Sequence, residues 1–336
     1  MPINTRQHRP RSKALAALPA LAAAACLALA ACGSSASGSS AASATAAAKH
    51  PKFGLLIMDM TNPFQATMAA AAQKEAQKLG IPMTTLNGNL SITNQVSEVQ
   101  QEVAAGAKAL IINAVDPNGI IPAIAEAHAA NIPVIALNTA PGKGAQVVTF
   151  VGDNDYQYGL AEGQLVAQAL HGKGTVALIM GQVGTSPQIL RTSGIEESLA
   201  KYPGVKIVAK VADNWKNAQD LADVQDLLTK YPKGQLGAIV AEGPEIYVGA
   251  QWAASQGRTD VKFISGDFPV QVKKAIENGQ LYGTVLQSPE SEGTMAVELA
   301  LKYVDGDKSV AQPNTYINLP LVTKSNVAGY DTVWQW

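Results

Sequence analysis

From residue 53 onward, short apolar runs alternate with longer amphipathic or alanine-rich stretches. The run at 53–58 is continuous, which suits a strand covered on both faces. Asn62 then offers an N-cap, Pro63 fits the first helical position, and the spacing predicts a helix over 62–79 that Gly80 stops. The same alternation predicts strands at 82–86, 109–113 and 132–137, with a shorter apolar run at 147–151. Helices are expected at 92–105, with Val96, Val99 and Val103 on one face, and at 116–130, opened by Asp116-Pro117.

Past Gly152-Asp153-Asn154 the pattern starts again. Helices are expected at 156–170, 188–200, 219–228, 246–255, 270–277 and 290–304. Strands are expected at 175–180, 205–211, 236–241, 261–264 and 281–286. Strands that alternate with helices imply a parallel sheet covered on both faces. Two such halves make an α/β chain of two doubly wound lobes.

The first fifty residues follow a different pattern. Arg6, Arg9, Arg11 and Lys13 form a basic start without an acid, and 14–31 is an apolar Ala/Leu run. Leu29-Ala30-Ala31-Cys32 resembles a bacterial lipobox, in which Cys32 would receive the lipid and become the mature first residue. Residues 1–31 are therefore expected to be a lipoprotein signal peptide. Residues 32–51 are small and polar and contain almost no charge, as a flexible tether requires. The protein is expected to be exported and lipid-anchored, at the outer face of the cell membrane or in the periplasm.

Composition narrows the partners. Removing four of the 25 Lys and Arg with the leader leaves 21 against 26 acids, a formal charge near −5. With no basic stripe, nucleic acid is not expected as a partner. Both cysteines, Cys26 and Cys32, precede the folded body, so no disulfide is expected in it. Gly172-Lys173-Gly174-Thr175 lacks the glycine spacing of a phosphate loop and precedes a strand instead of a helix. Gly184-Thr185-Ser186-Pro187 lacks the second glycine of a nucleophile elbow. His50, His128 and His171 have no ligand spacing, so neither a metal site nor a cofactor is expected. No catalytic constellation emerges, and the chain is not expected to be an enzyme.

In open parallel sheets, ligands bind beyond the carboxyl ends of the strands. Polar and aromatic residues gather at those predicted ends. The first half supplies Asp59, Asn62, Phe64, Asn138 and Thr139. The second supplies Arg191, Trp215, Gly243, Asp267 and Gln287. Aromatic faces beside amides, a guanidinium and a carboxylate suit a sugar, whose C–H faces stack and whose hydroxyls both donate and accept.

Several segments carry a family resemblance: Asn62-Pro63-Phe64, Gln73-Lys74-Glu75-Ala76, the stretch from Ala130 to Ile135, and Gly184-Thr185-Ser186 with Arg191. So do Gln225-Asp226-Leu227-Leu228, Gly266-Asp267 and Gln287 before Ser288-Pro289. With them, the chain resembles the bacterial periplasmic sugar-binding proteins of the ribose-binding type, the type I solute receptors of ABC importers. The resemblance implies two lobes joined by three crossings: 52–152 plus 288–316, and 153–287 plus 317–336. It also implies hinge closure on one small sugar or polyol, delivery to ABC permease subunits, and a monomer. Asn62 then looks like a hydroxyl-binding amide, Phe64 and Trp215 like stacking rings from opposite lobes, and Arg191 like the second lobe's guanidinium. Asp267 and Gln287 look like the carboxylate and amide near the hinge. The ribose receptor has Asp-Arg where this chain has Asn138-Thr139, and relatives often have Asn where Gly243 stands. Both changes are expected to leave room in the pocket and point away from ribose itself. A same-fold sensory receptor that signals to a membrane kinase or chemoreceptor remains the alternative, as does a non-sugar ligand.

Overall fold

The computed structural model describes residues 51–336; the proposed leader and Cys32 lie outside them. The first sheet is built from β1 (Phe53–Ile57), β2 (Met83–Asn87), β3 (Ala109–Ile112), β4 (Val134–Leu137), β5 (Thr149–Gly152) and β11 (Asn314–Tyr316). Their order is β11-β5-β4-β3-β1-β2, and every pairing is parallel. The continuous apolar strands occupy its centre: β1, β3 and β4 are buried along their whole length. Helices α1 (Pro63–Lys78), α2 (Ile92–Ala104) and α3 (Ile121–Ala129) connect them.

The second sheet holds β6 (Lys173–Met180), β7 (Gly204–Ala212), β8 (Ala238–Ala241), β9 (Lys262–Gly266), β10 (Gly283–Val285) and β12 (Leu321–Thr323). Its order is β12-β10-β9-β8-β6-β7, parallel except for the antiparallel edge strand β12. Its helices are α4 (Asp155–Ala169), α5 (Ser186–Ala200), α6 (Asn217–Lys230), α7 (Ile246–Ser255) and α8 (Val270–Glu277). Helix α9 (Pro289–Val304) returns to the first lobe, where Ala296, Val297 and Ala300 share a core cluster with Phe53, Leu55 and Met68. The chain thus passes between sheets three times: after β5, after β10, and between β11 and β12.

Helix starts follow the expected chemistry. Asn62 Oδ1 accepts from the backbone N–H groups of Phe64 and Gln65 at 2.9 and 3.3 Å, with Pro63 next to it. One start differs from expectation. Asp116 accepts from the Asn118 and Gly119 N–H groups and holds a turn, so α3 begins only at Ile121. β11 and β12 are each only three residues long, too few for alternation to show.

Candidate functional site

The carboxyl ends of the two sheets face one another across a cleft. Its central cavity encloses about 340 Å³ of non-atom space, the solvent at its mouth included. Asn62, Phe64, Gln65 and Asn138 line it from the first lobe. Pro187, Arg191, Trp215, Asp267 and Gln287 line it from the second lobe and the hinge, and Trp336 completes the wall. The lobes also touch directly, since the Ala140 N–H donates to Ser186 Oγ at 3.0 Å.

Arg191 is the most constrained of these groups, buried at the face of α5. Its Nε donates to Asp155 Oδ1 at 2.9 Å, Nη1 to the Glu242 carbonyl at 2.8 Å and Nη2 to Gln287 Oε1 at 2.7 Å. Its Cζ lies 3.7 Å from the centroid of the Tyr158 ring. Three of its five N–H donors are thereby used, and one remains on each terminal nitrogen. Such a fork, fixed by an ion pair and a ring face, can grip two oxygens of a ligand without reordering.

Asp267 stands 4.0 Å from Arg191 Nη1. Its Oδ1 accepts from the Tyr158 hydroxyl at 3.0 Å, and its own N–H donates back to that hydroxyl oxygen at 2.6 Å. Burial raises the Asp267 carboxyl to about 6, against the pull of Arg191. Gln287 links two ionisable groups: it accepts from Arg191 and donates through Nε2 to Glu292 Oε1 at 2.7 Å. Burial pushes Glu292 up to about 8.

Three lining residues share a backbone signature. Asn138, Trp215 and Asp267 have φ of 59°, 57° and 54°. Non-glycine residues adopt this left-handed region at a cost, and such strain collects at functional sites. Each stands just past a strand end, after β4, β7 and β9, where the reversed backbone turns the side chain toward the cleft. Trp215 is flanked by two glycines. A Cβ on Gly181 would lie 2.1 Å from its Cε2, and one on Gly243 would lie 2.7 Å from its Cδ1. The indole rests on bare backbone at both positions.

The residue-by-residue outcome is mixed at the periphery. Asn62, Phe64, Asn138, Arg191, Trp215, Asp267 and Gln287 all line the one cavity. Asp59 does not; its Oδ1 accepts from the Thr61 N–H and hydroxyl, and it lines a neighbouring pocket that shares Asn62, Gln65 and Trp215 with the central cavity. Thr139 also turns inward, donating to the Ala114 carbonyl at 2.9 Å and accepting from Asn113 Nδ2 at 3.1 Å. Gly243 lies against Trp215 and Glu245, so the room expected there is filled by that indole and carboxyl group and adds nothing to the cavity. Within 317–336, expected in the second lobe, the Trp334 ring packs into the first lobe's core. Among the described residues, no group of three or more His, Cys, Asp or Glu is placed to hold a metal ion.

The periplasmic binding protein domain model matches residues 53–308. The chain belongs to the periplasmic binding protein family. Its relatives include the ribose import binding protein of Escherichia coli K12, 31% identical over 80% of this chain and 90% of that one. The xylitol-binding protein of Mycolicibacterium smegmatis is 29% identical over 82% of this chain and 78% of that one. An ABC transporter solute-binding protein from Bacillus halodurans C-125, solved with bound myo-inositol, shares the fold at a TM-score of 0.79. It is 24% identical, covering 85% of this chain and 99% of that one. The family is one of solute-binding receptors and not of enzymes.

Several residues of this periplasmic binding protein's site escaped the strand-end argument. Asp155 and Tyr158 lie on α4, one turn apart, and support Arg191 and Asp267 from beneath. Gln65 follows Phe64 on α1, and Pro187 sits in the first turn of α5. Trp336 comes from a stretch without regular structure. The one available signal was density: two of the chain's four tryptophans fall at 334 and 336.

Proposed function

We propose that this protein is an extracytoplasmic solute receptor. It captures one small polyhydroxylated ligand, a monosaccharide or polyol, between its lobes by hinge closure and delivers it to the permease of an ABC importer. The observation that carries the reading is the convergence of Phe64 and Trp215 from opposite lobes on a cavity that also holds Arg191 and Asp267. Aromatic walls take the C–H faces of a sugar ring, and ionised groups in a dry cleft strengthen each hydroxyl contact. The relatives that bind ribose, xylitol and myo-inositol support the same ligand class.

Roles follow from what each side chain has left to offer. Asn62 Oδ1 is committed to the helix cap, so its Nδ2 is the donor toward a ligand. Asp267 Oδ2 is the acceptor beside an Oδ1 already bound by Tyr158. Asn138 presents its amide from the first lobe. Gln287 has both polar ends bound by protein and acts as a brace at the hinge. The lobes are 52–152 plus 288–316 and 153–287 plus the remainder, with the last residues reaching back to the first lobe. Anchoring is through a lipid on Cys32, and the receptor works as a monomer.

A thermal-shift screen of pentoses, hexoses and polyols tests the reading, because a ligand that binds only the folded state raises the melting temperature by mass action. At least one compound should do so in a concentration-dependent way and be recovered unchanged. A flat response across the panel would overturn the proposal.

A further inference from the structure

Residues 330–336 run between the two lobes and hold both. Their main chain rides on the second lobe. The Tyr330 carbonyl accepts from Lys273 Nζ at 2.9 Å, and the Val270 N–H donates to the Trp334 carbonyl at 3.0 Å. Gln271 and Trp336 exchange two hydrogen bonds, at 2.9 and 3.1 Å, and Trp336 Nε1 donates to Asn217 Oδ1 at 3.0 Å. Lys273, Val270 and Gln271 belong to α8, and Asn217 opens α6.

The two indole rings reach the first lobe: Trp334 enters its core, and the Trp336 indole packs on that core while its Nε1 stays bound to Asn217. Trp334 is 6% exposed and belongs to the first lobe's core cluster. It meets Phe64 edge-on, with centroids 5.7 Å apart and planes at 87°. Trp336 packs on the same cluster and meets Trp334 at 6.2 Å, while also forming part of the cleft wall. Opening the cleft would have to withdraw the rings from Phe64 or strip the main chain from α8.

We propose that residues 330–336 are an interlobe latch, anchored by backbone on the second lobe and by Trp334 on the first, that favours the closed form and sets Trp336 as a third aromatic wall against the ligand. Phe64 carries both functions, since it lines the cavity and also meets Trp334 of the latch edge-on. A receptor whose binding-competent form is already populated binds with an affinity reduced by less than one that must close from an open majority.

The closure part does not depend on what the ligand is; the wall part rests on the proposed function. Small-angle scattering in solution without added sugar tests closure. The wild type should show the compact radius of gyration of this structure. Trp334→Ala should expand it, and Asn217→Ala, which removes the indole's acceptor, should shift it the same way by less. Val333→Ala, at a side chain 83% exposed, should leave it unchanged. Circular dichroism establishes that each variant is folded; if Trp334→Ala is not, Asn217→Ala and Gln271→Ala carry the test. Radii equal to the wild type in the folded variants, or a wild type already expanded, would overturn the latch. For the wall, calorimetry uses whichever of ribose, xylitol and myo-inositol binds the wild type. Trp336→Ala should bind about tenfold more weakly, the loss expected for one aromatic contact, and Trp336→Phe should recover part of it. Unchanged affinity in Trp336→Ala would remove Trp336 from the wall. If the wild type binds none of the three, the sugar-receptor reading is what suffers, and the scattering comparison still decides the latch.

Discussion

Arg191 Nη2 donates to Gln287 Oε1 at 2.7 Å, and through Gln287 the guanidinium is tied to the Glu292 carboxyl of the first lobe's returning helix. Gln287 sits where the chain leaves β10 for α9, so this relay spans a crossing between lobes. Replacing Gln287 with Leu would strand a buried N–H on one side and a buried carboxyl on the other. The expected cost is roughly 1–3 kcal/mol for each unsatisfied group. Urea denaturation should show that loss, and a stability equal to the wild type would mean that water replaces the amide without penalty.

Asp267→Ala removes the acceptor that faces the cavity and leaves Tyr158 able to donate to the Val285 carbonyl, 3.2 Å away. The fold should survive while affinity for the best ligand of the panel falls by roughly 1.5–3 kcal/mol, the range for hydrogen bonds to charged groups. Calorimetry reads this directly. Wild-type affinity in the variant would exclude Asp267 from ligand contact.

Gly181→Ala acts on the ligand site from behind. Its new methyl would lie 2.1 Å from the Trp215 ring, so the indole must move toward the cavity. Overpacking of this kind costs typically about 1–3 kcal/mol. Weaker ligand binding together with an altered tryptophan emission spectrum is the expected pair of changes. A variant with unaltered emission would show that the indole was never seated on Gly181.

Stability should fall as pH rises from about 5 to about 8. Burial pushes Asp213 and Glu242 up to about 7, and Asp220 and Glu292 up to about 8. The folded chain therefore keeps protons that the unfolded chain, with carboxyls near their ordinary value, has already lost. Unfolding in this window releases protons, so higher pH favours the unfolded state. Thermal melts at the two pH values check the sign, and a melting temperature that climbs toward pH 8 would contradict the protonated state of these acids.

If the proposed lipid on Cys32 anchors the protein, Cys32→Ser should move it from the membrane fraction to the soluble fraction. Retention of the variant with membranes would discount the lipobox.

The site was readable where a strand end carries a polar or aromatic residue, since parallel sheets present such ends to ligands. That logic reached Asn138, Asp267 and Trp215, and helix-cap chemistry reached Asn62. It could not reach Tyr158, because nothing local distinguishes a tyrosine under an arginine 33 positions away from one in an ordinary core. It also misjudged Gly243, where the missing side chain looked like free volume. Whether a glycine leaves a hole depends on its neighbours, and here they are the Glu245 carboxyl group and the Trp215 ring. The core strands were legible because β1, β3 and β4 are buried on both faces. The segment at 330–336 has no period to read, and its path is set by tertiary contacts alone.

The left-handed backbone at Asn138, Trp215 and Asp267 restricts how this receptor could change its preferences. Valine, isoleucine and threonine are poorly accommodated at such torsions, whereas asparagine, aspartate and glycine are tolerated. Three corners of the cleft are therefore limited to a short alphabet of replacements. New specificities on this scaffold are more accessible through Phe64, Gln65 and Pro187, which stand on helices with ordinary torsions and accept a wider choice of side chains.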